Sequence, residues 1–341
     1  MKQILNNLSE VTFEFFNSLK SSFLKLAGFI FGVVLLGYLC SVFCNLVEGV
    51  YHGNLNLSSA FDIKGFNPNG ILILGIVTAC LFIEAVLLGW NDSSLCRILN
   101  QSNNSLKADI FYFFLICAGL TPVFGFLCSL GFGYALNEAI KENFSVNLLK
   151  DANLGIQFLI VVFFNSLIFY WHHRLFHSKY LWRFHEIHHA AEHFNLITNF
   201  RNHPIDIAVR TVFYTLPAAV FGINPFVIMI YSGISGVITC FQHSELDWKM
   251  PFVEKYLIIG SNGHRVHHGS ADEFVDKNFG IFVFWDWLFG TYQSHPAERV
   301  IIGVKNSKKL HNNNQPLSDL INVTYCGVKE LWWHIFALVK K

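Results

Sequence analysis

The sequence has little charge for its length. Only 14% of its 341 residues are charged, whereas a soluble globular domain usually carries about 25%. Hydrophobic residues make up 53% of the chain, and the mean hydropathy is +0.41. This composition excludes a disordered chain, a coiled coil and an ordinary water-soluble globule.

Other absences exclude further classes of protein. The formal net charge is +1 and no long basic block occurs, so nucleic-acid binding has no electrostatic support. The eight cysteines are scattered, mostly inside apolar runs, and form neither a disulfide framework nor a CxxC metal site. The chain also lacks a CxxCH haem-attachment motif and a GxGxxG dinucleotide motif.

Long apolar runs predict an all-α integral membrane protein, because about 20 apolar residues span the hydrocarbon core. Four runs have this length or nearly so: Leu26–Val47, Gly70–Trp90, Ile110–Leu136 and Leu154–Trp171. A fifth, Thr211–Gln242, is too long for one span and short for two. It contains prolines, which favour a tilted helical hairpin that turns near Gly222–Pro225. The first run is too long for a signal peptide and lacks a small-residue cleavage site. We therefore expect about four transmembrane helices plus the hairpin.

The positions of Lys and Arg predict the orientation. Basic residues precede the first span and follow the second span, the fourth span and the hairpin. Alternation of the spans then puts both termini and every histidine cluster on the cytoplasmic side, in a bacterial inner membrane or the endoplasmic reticulum. We expect an N-terminal transmembrane region with three spans at 1–150, a catalytic domain at 151–295 and a C-terminal tail at 296–341. The tail contains an amphipathic helix, either interfacial or packed on the core.

Histidine is the residue in excess. Of the 16 histidines, 12 fall between His172 and His268. Nine of these twelve form one HxxxH, two HxxHH clusters and a single histidine at the end of the hairpin. Residues at i, i+3 and i+4 share one face of a helix, so each cluster can direct its imidazoles at one point. The nine candidate metal ligands are His173, His177, His185, His188, His189, His243, His264, His267 and His268.

Nine imidazoles exceed the four to six ligands that one ion accepts, roughly. Two metal ions divide them naturally, forming a di-metal cap beneath the membrane. Imidazole suits zinc, copper, iron and nickel, so spacing alone does not choose the metal. The plainest alternative is a set of surface histidines, which three clusters within a hundred residues disfavour.

Two other functions fit parts of the same pattern. His185-Glu186-x-x-His189 is formally HExxH, the zinc protease motif in which Glu is the general base. An intramembrane protease would leave His188 and the second HxxHH cluster without a role. A histidine-rich metal transporter would need ligands inside the spans, whereas these histidines lie at or beyond the span ends.

The order HRxxH, HxxHH, a lone His, HxxHH and finally WDxxFGT resembles the fatty acid hydroxylase / sterol desaturase superfamily. In this chain the pattern runs from His173-Arg174 to Trp285–Thr291, and the flanking words Arg201-Asn202-His203-Pro204 and Asp276–Gly280 match too. The resemblance covers roughly residues 155–295. It implies a membrane-bound oxygenase with two iron ions, which uses dioxygen to hydroxylate or desaturate a lipid C–H bond.

The same resemblance implies that the nine histidines are the iron ligands and that electrons come from a separate donor. Asp247 stands where some relatives carry another histidine, so it is a candidate tenth ligand. The sequence segments around His243 and His264 resemble those of alkylglycerol monooxygenase-like members, which use tetrahydrobiopterin. Ligand histidines usually donate their other ring N–H to an acceptor. The acids near the clusters that could accept it are Glu186, Glu192, Glu245, Asp247 and Asp286.

Overall fold

The computed structural model describes residues 2–51, 68–121, 123–124, 132–247 and 250–339. Within them the chain is helical, and β-structure is limited to two isolated bridges. The α-helices are α1 (Lys2–Tyr51), α2 (Pro68–Leu88), α3 (Ser94–Asn100), α4 (Asn104–Cys117), α5 (Phe132–Phe144), α6 (Leu154–Phe176), α7 (Trp182–His189), α8 (Pro204–Phe221), α9 (Pro225–Gln242), α10 (Pro251–Tyr256), α11 (Ser261–His267), α12 (Val283–Leu288), α13 (Ser307–Leu310) and α14 (Pro316–Val339). Two short 3₁₀ helices lie at Leu196–Phe200 and Asp272–Phe274.

Four helices in the described residues are long and apolar enough to cross a membrane: Leu26–Phe43 within α1, and the whole of α6, α8 and α9. Helices α8 and α9 confirm the predicted hairpin. Gly222 ends α8 with a left-handed φ of 70°, and the Asn224 side chain caps α9. Each arm has 18 residues because α8 begins at Pro204, before the uncharged run starts. The second run forms α2, whose apolar part Leu72–Leu88 is shorter than the four spans.

The prediction of a third span at Ile110–Leu136 is wrong as one continuous helix. Helix α4 ends at Cys117, and Gly119 has a left-handed φ of 72° that a helix cannot continue through. Leu120, Thr121, Val123 and Phe124 are helical again beyond this glycine, and α5, which begins at Phe132, packs against α8. Residue 122 and residues 125–131 of this run lie outside the described residues.

Helix α6 packs against both α8 and α9, and the three helices alternate in direction. At one end Gln157 of α6 accepts a hydrogen bond of 2.7 Å from the Asn224 backbone N–H at the hairpin turn. The opposite end therefore receives the last turn of α6, the first turn of α8 and the end of α9. Those turns contain His173, Asp206 and His243. Alternation of three helices thus places distant parts of the chain at one site.

Candidate metal centre

All nine candidate histidines lie together in two adjacent groups. Within each group the nearest ring nitrogens lie within 4.8 Å of one another. Every member is buried except His177, which is partly exposed. The first group is His173, His177, His185, His189 and His267, and the second is His188, His243, His264 and His268.

A single helix can contribute histidines to both groups. Helix α7 contributes His185 and His189 to the first group and His188 to the second. Helix α11 contributes His264 to the second group and His267 to the first. The rings of His189 and His268 stack with centroids 4.2 Å apart across the boundary. Two neighbouring sites therefore share their supporting helices.

In the first group, acceptors outside the group hold the ring N–H groups away from the centre. His185 Nδ1 donates to Asp206 Oδ2 at 2.8 Å, and His177 Nδ1 donates to Asp276 Oδ1 at 3.2 Å. His173 Nδ1 donates to the Phe279 carbonyl oxygen at 2.8 Å. A proton on Nδ1 leaves the Nε2 lone pair free, which is the arrangement of a metal-binding histidine.

The loop Asp276–Gly280 supplies the acceptors of His173 and His177, and its backbone turns sharply. Asp276 and Asn278 have left-handed φ values of 59° and 53°, which Asp and Asn tolerate better than most residues. The Lys277 carbonyl accepts from His267 Nδ1 at 2.6 Å. Asp286 holds the loop in place by accepting the Phe279 and Gly280 N–H groups, both at 2.8 Å.

The second group is built around His243. Its Nδ1 donates to the Thr239 carbonyl oxygen at 2.8 Å, so its Nε2 carries a lone pair. That Nε2 lies 3.3 Å from His188 Nε2 and 3.1 Å from His264 Nε2. Ring nitrogens that face one another this closely fit a shared cation.

Burial favours the neutral form of seven of these imidazoles, because it lowers their pKa values. Desolvation lowers the pKa of His177 and of His243 to about 4. Desolvation, followed by the neighbouring imidazoles, holds the pKa well below its usual range for the remaining members outside the spans that show a shift: His188, His189, His264, His267 and His268. Neutral imidazole is the form that binds metal.

The chemistry of the site fits metal ions. The Nε2 atoms of His173, His185 and His267 are buried and have no hydrogen-bond partner among the described residues. Leaving a buried polar atom unpaired costs about 1–3 kcal/mol, so several at one point indicate a missing partner. The ligand set would be all nitrogen, since no carboxylate belongs to either group.

Aromatic rings surround both groups. Phe279 and Trp182 contact histidines of the first group, with His177 ring centroids 4.9 and 5.1 Å away. Phe194 contacts the second group, 5.1 Å from His268 and 5.2 Å from His243. These rings limit the access of water to the nitrogen atoms.

Asp247, the candidate tenth ligand, belongs to neither group. It is exposed and accepts a hydrogen bond from Asn262 at 2.9 Å. The other predicted acceptors have partners of their own. Glu186 pairs with Arg183 at 2.9 Å, Glu192 accepts from Asn312, and Glu245 pairs with arginines. Asp286 supports His173 indirectly, through the loop that accepts its proton.

Sequence reasoning missed Asp206 and Asp276. Asp206 is buried and lies 3.2 Å from His172 Nε2 as well as contacting His185. It follows the matching segment Arg201-Asn202-His203-Pro204 by two residues. Its position in the first turn of α8, at the end of the helix that lies nearest the histidines, is the signal that could have located it. Asp276 lies in the matching segment Asp276–Gly280, but the sequence assigned no role to its carboxylate.

Comparison with known proteins supports the family assignment. Residues 158–291 match the fatty acid hydroxylase family. Alkylglycerol monooxygenase of Homo sapiens is 29% identical over 172 residues, which cover 50% of this chain and 35% of that protein. The same enzyme of Danio rerio is 34% identical over 138 residues, which cover 40% and 30%. Lathosterol oxidase of Mus musculus is 27% identical over 149 residues, which cover 42% and 47%.

This chain therefore matches only about a third of the length of the alkylglycerol monooxygenases. No solved structure matches it. The matched segment nevertheless contains all nine histidines of the two groups.

Proposed function

We propose that this chain, whose residues 158–291 match the fatty acid hydroxylase family, is a membrane-bound, non-haem di-iron monooxygenase that oxidises a lipid C–H bond. Hydroxylation is the favoured outcome, ahead of desaturation. The observation that carries the proposal is the convergence of nine histidines, eight of them buried, in two groups. Five of these histidines donate a ring N–H to an acceptor outside the groups, which leaves the other ring nitrogen with a lone pair: His173, His177, His185, His243 and His267.

The ligand assignment follows the two groups. His173, His177, His185, His189 and His267 would hold one iron, and His188, His243, His264 and His268 the other. Bound iron would supply the activation of dioxygen. One oxygen atom enters the lipid and the other leaves as water, so each turnover needs two electrons from a separate donor. Four of the similar proteins are named alkylglycerol monooxygenase, which makes an alkylglycerol with tetrahydrobiopterin the first pair to test.

The protein's own groups prepare the site for this chemistry. Asp206, Asp276 and the Phe279 carbonyl hold protons on Nδ1 of their histidines, which fixes each ring and exposes Nε2. Phe194, Phe279 and Trp182 exclude water from the nitrogen atoms. A dry site protects reactive oxygen species from side reactions with solvent.

The position of Glu186 disfavours the protease alternative. Its carboxylate pairs with Arg183 at 2.9 Å and lies 3.7 Å from His311. A general base must lie within hydrogen-bond reach of the water it activates, roughly 2.6–3.2 Å. The HExxH scheme also leaves His188 unused, whereas here its Nε2 faces that of His243.

Single substitutions separate the two functions. We expect His188→Ala and His267→Ala each to lose metal and to abolish lipid oxidation, because each removes a ligand from a different group. Glu186→Gln should retain measurable activity. Metals per chain are measured by elemental analysis of protein purified in membrane-mimicking nanodiscs, and product formation by mass spectrometry of added lipids.

His193→Ala is the matched control, since His193 lies in the same region but is exposed and outside both groups. It should keep about two metals per chain. An active His188→Ala combined with an inactive Glu186→Gln would instead support the hydrolase.

A further inference from the structure

The C-terminal helix α14 has one face committed to the protein. Leu320 and Val323 are buried against α4, together with Ile187 of α7. Glu330 pairs with Arg183 at 3.0 Å. At Gly327 the helix approaches α7 so closely that an added Cβ would lie 2.6 Å from the Phe184 ring. Helix α14 therefore supports the back of the helix that contains three candidate ligands.

A second face of α14 is apolar and exposed. The exposed fractions of its large side chains lie between 55 and 67%. These residues recur at helical spacing along the whole length of the helix and are Leu317, Ile321, Tyr325, Trp332 and Phe336. Val328 continues the same stripe. Such a stripe exposed to water would favour aggregation, so we expect a partner to cover it.

Polar residues border the apolar stripe. At 100° per residue, Asn322 and Lys329 lie about 70–90° from the centre of the stripe, and both are exposed, as is Trp333 farther round the helix. A helix with one protein-facing side and an apolar stripe bordered by polar residues has the geometry of an interfacial helix. Lys and Trp near its C-terminal end are typical of the membrane–water boundary.

We infer that α14 lies at the membrane surface, with its Leu317–Phe336 stripe in the lipid interface, and clamps α7 in position from there. A bilayer is the occupant that the structure favours, because the same chain has four helices apolar enough to cross one. Helix α14 also packs on α4, at the start of the apolar run 110–136. Lipid contact with α14 would thus fix the position of α7 and of its three candidate ligands. The inference does not depend on which metal or reaction the site supports.

Adjacent cysteine pairs test the lipid contact. Ile321→Cys and Asn322→Cys are neighbours on different faces, as are Val328→Cys and Lys329→Cys. Each is labelled with the environment-sensitive dye NBD in full-length protein in phosphatidylcholine vesicles. The background carries Cys326→Ser and replacements for any other cysteine that reacts. We expect labels at 321 and 328 to emit at shorter wavelength and to be quenched several-fold more strongly by brominated lipid than labels at 322 and 329.

A second measurement tests the clamp. Ile321→Asn with Trp332→Ser should increase metal loss to a chelator in vesicles, whereas Asn322→Ser with Lys329→Ser should not. Retention of folded protein is checked by gel filtration. Equal, water-like emission at all four labelled positions would overturn the inference. So would a cross-link between two copies through Ile321→Cys with no lipid quenching, which would make a second chain the occupant.

Discussion

Asp206 contacts two histidines. One is the candidate ligand His185, at 2.8 Å, and the other is His172, which belongs to neither group, at 3.2 Å. We expect Asp206→Ala to weaken metal binding by about 10–100-fold, the usual effect of removing such a supporting acceptor. Without it, His185 can adopt the other tautomer, with its proton toward the metal. Competition with a graded chelator, followed by elemental analysis, measures the affinity.

Asp276→Ala provides the comparison. The Asp276 side chain is 60% exposed and its bond to His177 is longer, at 3.2 Å, so water can replace it. Its effect should be several-fold smaller than that of Asp206→Ala. Equal effects at both positions would contradict an argument that depends on burial.

The buried histidines also predict a pH dependence of stability. The pKa values of His177 and His243 are lowered to about 4, whereas an unfolded histidine titrates near about 6.5. Between these values the unfolded chain binds more protons than the folded chain. The contribution of these histidines to the free energy of unfolding is therefore fully present above about pH 6.5 and declines as the pH falls toward 4.

Metal-free protein in detergent should thus melt at progressively lower temperature across that interval. Bound metal, which competes with protons for the same nitrogen atoms, should move the decline to lower pH. Melting followed by circular dichroism at a series of pH values provides the measurement. A melting temperature independent of pH between 6.5 and 4 would show that the histidines are not neutralised by the fold.

At the scale of elements, the contact between α7 and α14 is tight at one residue. An added Cβ at Gly327 would meet the Phe184 ring, which is fully buried and packs on His203 with centroids 5.1 Å apart. The ring cannot move aside, so Gly327→Ala should destabilise the protein by about 1–3 kcal/mol. It should also shift α7 and lower metal content.

Gly233→Ala in α9 is the control, since an added Cβ there meets nothing within 4 Å among the described residues. It should leave stability unchanged or slightly raised, because alanine favours a helix over glycine by about 1 kcal/mol. Fluorescence-detected gel filtration after heating compares the two. If both variants melted alike, the packing of α14 on α7 would be less tight than the structure indicates.

At the scale of the whole molecule, the hairpin defines two opposite ends. The Val146 N–H donates to the Val220 carbonyl at 2.9 Å, which places the exposed Leu148 beside the hairpin turn. The histidine groups lie at the other end of the same helices. Glu273 is exposed in the loop that follows α11. The two positions should therefore lie on opposite sides of the membrane.

We expect Leu148→Cys to react with a membrane-impermeant maleimide in intact cells, and Glu273→Cys to react only after permeabilisation. This is the orientation that the lysines and arginines predict. Labelling of both positions from the same side would exclude the hairpin as a pair of spans. The reverse pattern would preserve the spans and place the histidines outside.

Local sequence determined which helices can cross a bilayer and which histidines share a helix face. The length of an apolar run fixes whether a helix can cross a bilayer, and α6 and the hairpin α8–α9 agree with that rule. The i, i+3, i+4 spacing fixes which histidines share a helix face, and the eight that it selected lie together with the single His243. Their role as metal ligands stays a prediction. The break after Cys117 was not predicted, because hydropathy alone does not report a left-handed glycine.

Only the tertiary structure decided how the histidines divide. His185, His188 and His189 are neighbours on α7, yet His188 faces His243 while the other two face the first group. Local spacing cannot predict this, since it depends on which helices approach α7 from each side. Asp206 and Asp276 are likewise 21 and 99 residues from their histidines in the chain. Long-range packing of alternating helices brings them together, because a buried ring N–H needs an acceptor and for His185 that acceptor comes from a different helix.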